Sequence, residues 1–263
     1  MSQYWSQLVH NLDPYIPGEQ PKDQRYIKLN TNECPYPPSP KALEAIEAAG
    51  GADLRLYSDP TCSSLKEAVA DFYAVETNNV FVGNGSDEVL GHVFHALLKQ
   101  DKPILYPDLS YGFYPIYKLL YEVEATEIPL RDDFSVNLDD YCEDLGGRSI
   151  ANPNAPTGLA VGLGEIEALL QDNTESVVVV DEAYVDFGGE SAIPLTKKYP
   201  NLLVVQTFSK SRSLAGLRVG IAVGNKGLID GLERVKGSFH PYTLGRMELA
   251  GAAASMRDRV HLE

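Results

Sequence analysis

Cysteine is scarce in this sequence. There are three among 263 residues, Cys34, Cys62 and Cys142, far apart and with no C-x-x-C pair. An odd, scattered set supplies neither a disulfide framework nor a zinc-ligand pattern, and it suits a reducing compartment. Basic residues are also few: 22 Lys+Arg stand against 37 Asp+Glu, a formal charge of −15. That balance argues against nucleic acid and against an anionic membrane surface as partners, because both need a basic face. Long apolar runs are missing, and none approaches the roughly 18–20 residues of a spanning helix. The opening Met1-Ser2-Gln3-Tyr4-Trp5-Ser6-Gln7 has no basic or apolar signal region, so no signal peptide is expected and a cytoplasmic location fits. Repeats and low-complexity tracts are absent too. What is present, 44% hydrophobic and 22% charged residues, is the composition of a globular chain that can bury a sizeable core.

The stretch through about Pro40 is rich in Pro, Asn and Tyr and reads as an irregular arm, because proline at this density blocks regular ladders. A short helix is expected from Pro40 to Ala49, with proline at its first position. Strands and helices then alternate. Helical spacing marks Ser63 to Tyr73, Asp87 to Leu98, Phe113 to Tyr121, Glu165 to Leu170, Gly227 to Val235 and Arg246 to Ser255. Extended segments are expected at Val80–Val82, Ile104–Tyr106, Val123–Ile128, around Ile150-Ala151, and at Val177–Val180, Leu202–Thr207 and Val219–Val223. The unbroken valines 177–180 are typical of a strand covered on both faces of a parallel sheet. The alternation implies an α/β fold with a mostly parallel sheet flanked by helices, whose ligands sit beyond the carboxyl ends of the strands.

Four motifs fall at such ends. Gly83-Asn84-Gly85-Ser86-Asp87-Glu88 joins a strand to a helix. Its glycines and free helix N–H groups could cradle one phosphate, or the segment could be an ordinary capped turn. Asp181 directly follows the valine strand, where a buried carboxylate needs a partner such as a cationic ring nitrogen, with Tyr184 three residues on. Lys210, in Thr207-Phe208-Ser209-Lys210-Ser211, is a candidate amine nucleophile, against the common fate of a solvated surface lysine. Arg218, at the start of the next strand, could give a phosphate a bidentate fork or form a surface ion pair. Jointly they are the parts needed to hold pyridoxal phosphate, with Tyr111 placed to stack on its ring.

These residues, with Pro153-Asn154-Ala155-Pro156-Thr157-Gly158, resemble the fold-type I pyridoxal-phosphate aminotransferases. Within that family, Pro14-Tyr15-Ile16-Pro17-Gly18, Leu29-Asn30-Thr31-Asn32-Glu33, Tyr36-Pro37-Pro38-Ser39-Pro40 and Leu56-Tyr57 favour the histidinol-phosphate aminotransferases. The resemblance implies a seven-stranded-type large domain and an incomplete small domain. The expected division is an arm and part of the small domain at 1–45, a cofactor-binding domain at 46–240, and the start of a C-terminal small domain at 241–263. It implies that Lys210 is the Schiff-base lysine and proton carrier, Asp181 the pyridinium partner, and Tyr184 a donor to the cofactor's phenolic oxygen. Ser86, Ser209 and Arg218, with backbone N–H groups at Gly85 and Asp87, would hold the phosphate. Tyr57 would reach the phosphate of a neighbouring subunit in a homodimer, and Tyr15 and Asn32 would line the substrate side.

The sequence departs from the family pattern in places. Ala155 stands where a second Asn would bond the phenolic oxygen, leaving Asn154 or Asn152 as substitutes, and Cys34 stands where Asn is frequent. The family also continues past the position of Glu263, into a region that carries an arginine for the substrate carboxylate. A related aromatic aminotransferase, a pyridoxal-phosphate decarboxylase, or a cofactor-binding fragment without turnover are the alternatives. His92 and His95 lie three apart with no further ligands in reach, which points to packing rather than metal.

Overall fold

The computed structural model describes residues 2–24, 26–142 and 145–262. Seven strands form one sheet: β1 (Val80–Asn84), β2 (Ile104–Pro107), β3 (Ala125–Ile128), β4 (Gly147–Ala151), β5 (Val177–Asp181), β6 (Leu202–Thr207) and β7 (Val219–Gly224). Their order is β1-β7-β6-β5-β4-β2-β3. Neighbours pair in parallel from β3 through β6, while β7 runs antiparallel to both β1 and β6. The helices are α1 (Gln7–Asn11), α2 (Pro40–Ala49), α3 (Ser63–Tyr73), α4 (Gly85–Val93), α5 (Tyr114–Leu120), α6 (Leu163–Asp172), α7 (Lys226–Phe239), α8 (Arg246–Arg257) and α9 (Arg259–Leu262). The expected elements are all present, with ends shifted by a few residues. The segment anticipated as one helix to Leu98 is α4 followed by a π-helical turn at Phe94–Leu98.

Local chemistry accounts for several boundaries. Ser39 Oγ accepts the Ala42 N–H and Pro40 follows at the first position, so α2 starts there. Asn225 caps α7 through the Gly227 N–H. The reversal of β7 follows from its connection. Residues 208–218 contain only a 3-10 turn at Ala215–Leu217, and a parallel return would need a crossover of a dozen or more residues.

The sheet is covered on both sides, and its strands alternate between two cores. Val178, Val180, Leu202, Val204 and Ile221 pack with Leu65 and Val69 of α3, Leu169 of α6, and Leu249, Ala252 and Met256 of α8. Val179, Leu203, Val205 and Ala222 pack with Val89 and Leu90 of α4, Tyr114 and Tyr117 of α5, and Ile229 and Leu232 of α7. By the same period of two, Asp181 falls on the α4/α5 side and Glu182 on the other. The arm lies over the carboxyl rim of the sheet with large apolar groups in solvent, Ile16 and Leu29 each 85% exposed. No helix among the described residues is long and apolar enough to cross a membrane.

Candidate active site

The ends of β1, β4, β5 and β6 and the start of β7 open onto one cavity of about 1020 Å³, lined on its upper side by arm residues Tyr15, Thr31 and Asn32. Asp181 is the last residue of β5 and is buried. The Tyr114 O–H donates to its Oδ2 at 3.1 Å, and the Ala183 N–H to its Oδ1 at 3.2 Å. Burial pushes its pKa up to about 6, against the pull of those two hydrogen bonds. A cation brought to this carboxylate would therefore relieve a desolvation cost.

Lys210 follows β6. Its Nζ donates to the Thr31 carbonyl at 2.8 Å and to the Asn32 carbonyl at 3.4 Å, and lies 5.6 Å from the centre of the Tyr184 ring. Those carbonyls are presented by an unusual turn. Thr31 and Asn32 both adopt left-handed backbone, with φ of 63° and 51°. A β-branched residue rarely tolerates that conformation, so the contact with Lys210 sits on strained chain. Asn32 Nδ2 also donates to the Tyr184 hydroxyl at 2.9 Å.

The anion cradle is the turn from β1 into α4. Gly85 has φ +76°, and a Cβ there would lie 2.6 Å from an Arg218 nitrogen. A Cβ on Gly220 would lie 2.4 Å from the Ser86 nitrogen. Gly220 is thus required by close approach, because β7 presses on the backbone of the turn, and Gly85 by its positive φ, with the Arg218 guanidinium lying over it. Asn84 makes no side-chain cap, its amide reaching Thr243 O at 3.3 Å instead. The Asn84 side chain thus leaves the first N–H groups of α4 uncapped. Arg218, itself left-handed at φ 54°, donates to Asp87 Oδ2 at 2.8 Å and to Ala215 O at 3.3 Å. The Tyr111 O–H donates to the other Asp87 oxygen. Burial, with the Asp87 charge, holds the Tyr111 hydroxyl firmly protonated. Tyr111 stacks on Phe113 at 5.6 Å, and Phe113 meets Tyr15 at 4.7 Å.

Most of the residues expected at a site therefore meet. Tyr15, Asn32, Ser86, Asp87, Tyr111, Asp181, Tyr184, Ser209, Lys210 and Arg218 all line this cavity, with Gly85 directly beneath Arg218. Two do not join them. Asn154 is buried behind the lining residues Leu109 and Ser110: its Oδ1 accepts from Ser110 Oγ at 2.7 Å, and its Nδ2 donates to Leu109 O at 3.0 Å and Thr157 Oγ1 at 3.3 Å. Asn152 is likewise spent on Val161, at 3.1 and 2.9 Å. Both amides are engaged in these bonds, and Ala155 itself faces the cavity. Tyr57 lies outside, 79% exposed and stacked on Tyr242 at 4.6 Å. Three participants went unnoticed in the sequence: Tyr114, the Thr31 carbonyl and the Asp87 carboxylate. A signal for Tyr114 existed, since a tyrosine on the apolar stripe of a helix must find a partner for its hydroxyl.

The sequence matches the model of the aminotransferase class I and II family over residues 24–262. It is 62% identical over 263 residues to histidinol-phosphate aminotransferase 1 of Hydrogenovibrio crunogenus, covering all of this chain and 74% of that protein. The corresponding figures for histidinol-phosphate aminotransferase of Pseudomonas syringae pv. syringae are 57%, all and 75%. The chain belongs to the class I and II aminotransferases. The fold agrees with that membership. Histidinol-phosphate aminotransferase from Sinorhizobium meliloti, solved in complex with pyridoxal-5'-phosphate, superposes with a TM-score of 0.84 at 23% identity, over all of this chain and 73% of that one. Aspartate aminotransferase from Thermus thermophilus gives 0.80 at 19%, over 89% and 65%. This aminotransferase therefore carries the family's sheet, with its convergent acid, amine and guanidinium at the carboxyl rim.

Proposed function

We propose that this aminotransferase moves an amino group between histidinol phosphate and 2-oxoglutarate, giving imidazole-acetol phosphate and glutamate, with pyridoxal 5'-phosphate as cofactor. The substrate assignment is supported by the relatives' names at 57–62% identity over the whole chain. The cofactor assignment rests on one observation above all: a buried strand-end carboxylate, a lysine amine and a guanidinium over an uncapped helix N-terminus share one cavity.

The residues fit the group. The α4 amides and Arg218, with Ser86 and Ser209, would hold its phosphate, and a side chain at Gly85 or Gly220 would press on Arg218 or on the backbone of that turn. When bound, the cofactor supplies an electrophilic carbonyl and an electron sink. Lys210 supplies the amine that anchors it, and Nζ then carries the proton at the reacting carbon. Asp181 keeps a cation at the ring nitrogen, and that cation in turn offsets the desolvation that raises the pKa of the carboxyl. Tyr184 donates from its hydroxyl, and Tyr111 offers a ring face with its hydroxyl pinned on Asp87. Tyr15 and Asn32 form the substrate side. Tyr57, exposed on its own chain, would serve a second copy, so the proposal includes a homodimer with shared sites, working in the cytoplasm.

The test is turnover. Purified protein should form glutamate from histidinol phosphate and 2-oxoglutarate, and should show a visible cofactor band that borohydride fixes to the chain. Lys210→Ala should abolish the fixation and lower turnover at least a thousandfold. Activity on aromatic amino acids without activity on histidinol phosphate would reject the substrate. Covalent cofactor retained in the alanine variant would remove Lys210 from its role.

A further inference from the structure

The guanidinium assigned to the cofactor's phosphate already holds an anion. Arg218 is paired with the Asp87 carboxylate at 2.8 Å, while the other Asp87 oxygen accepts the Tyr111 hydroxyl proton. Both charged partners remain partly open to the cavity, 45% and 39% exposed, so this is a rim pair that can separate at small cost. Asp87 thus presents two opposite faces to the same space. Its backbone N–H, in the first turn of α4, attracts an anion, and its side chain repels one. Among the described residues lining the cavity the other cation is Lys210, which is directed to the arm's carbonyls.

We propose that the Asp87 carboxylate is a built-in stand-in for the phosphate. Without phosphate it keeps Arg218 aligned over Gly85 and Tyr111 upright at the ring shelf. When a phosphate arrives it competes for the same guanidinium and sets the affinity of the cradle. The proposal rests on the reading of Gly85–Asp87 and Arg218 as the phosphate site, and it goes beyond that reading by giving Asp87's side chain a sign. A brace that merely orients Arg218 would strengthen phosphate binding; a stand-in weakens it.

The sign is measurable with inorganic phosphate as the probe, by calorimetry on the full chain freed of cofactor in a phosphate-free buffer. Asp87→Asn keeps an acceptor for Tyr111 and removes the charge. It should tighten phosphate about fivefold, the size expected for removing one screened charge from a half-exposed pair. Asp87→Ser should shift affinity in the same direction. Arg218→Gln should weaken phosphate at least tenfold. Unchanged or weaker binding in both Asp87 variants, with Arg218→Gln weakened, overturns the stand-in and leaves a brace. So does a loss of cooperative melting in both Asp87 variants. Wild-type affinity in Arg218→Gln is a different failure: phosphate then binds elsewhere, and the cradle reading falls together with this one.

Discussion

The two sides of the cavity are built from different material. The lower side is sheet: Asp181, Ser209, Lys210 and Arg218 are seated at the ends of strands whose valines and leucines, Val177 apart, are buried. The upper side is arm: Tyr15, Thr31 and Asn32 come from a proline-rich segment that buries little and is tied down by isolated contacts such as those to Lys210 and Tyr184. Rigid elements hold reacting groups to within fractions of an ångström, and loosely held segments exchange between partners and conformations. Under the proposed function, chemistry falls to the sheet side and substrate handling to the arm side.

Asp181→Asn should produce the largest effect, and in two opposite directions. Turnover should fall at least a hundredfold, because the ring nitrogen loses its anionic partner. Without cofactor the same change should leave stability equal or higher above pH 6. The sign follows from linkage. A carboxyl raised to about 6 in the folded state favours the protonated fold, so its stabilising contribution is complete below pH 4 and lost as pH rises through 6. Asparagine has no such loss, and the variant's advantage should vanish at pH 4. Thermal melts at pH 4 and 7.5, alongside steady-state rates, check both parts. A cofactor-free variant less stable than wild type at pH 7.5 would break the claim that the carboxylate sits there at a cost.

Asn32→Ala tests the arm. It removes the donor to Tyr184 but leaves the sheet side intact. KM for the amino donor should rise about tenfold with kcat within about threefold, the pattern of lost uniform binding. An equal collapse of kcat would move the arm into the reacting machinery and erase the distinction. Ala155→Asn should matter least. It places an amide in the cavity beside Tyr184, the proposed donor, and cofactor affinity by absorbance titration should change less than about threefold. A tenfold tightening would show that the sheet side lacks a donor.

Legibility in the sequence followed the same division. Strands β5 and β6 were plain from their apolar runs, and the glycine turn, Asp181, Lys210 and Arg218 were plain because each follows or precedes such a run. Direction was less plain. A uniformly parallel sheet would put Arg218 at the far edge, and only the short 208–218 connection reveals that β7 turns back. Side chains that bond across the fold left weaker traces. The Thr31 carbonyl is backbone, and nothing in residue type announces it. Asn154 carries a polar amide in a familiar motif, yet in the fold it bonds the Leu109 carbonyl and the Ser110 and Thr157 hydroxyls, which residue type does not announce. Glu182 is a further case: buried beside Asp181 but on the opposite face, it bonds Gln206, Ser191 and the Ala192 N–H, and burial pushes its pKa up to about 7.

The turned-back strand has a mechanical corollary. Because β7 retraces β6, the amine and the guanidinium hang from the two legs of a single short bridge, zipped at its base by Phe208 to Val219 and Phe208 to Leu214 backbone hydrogen bonds. A pull on one leg is transmitted to the other through a few peptide units rather than through the whole sheet. Lengthening that bridge by even one residue should therefore disturb two grips at once.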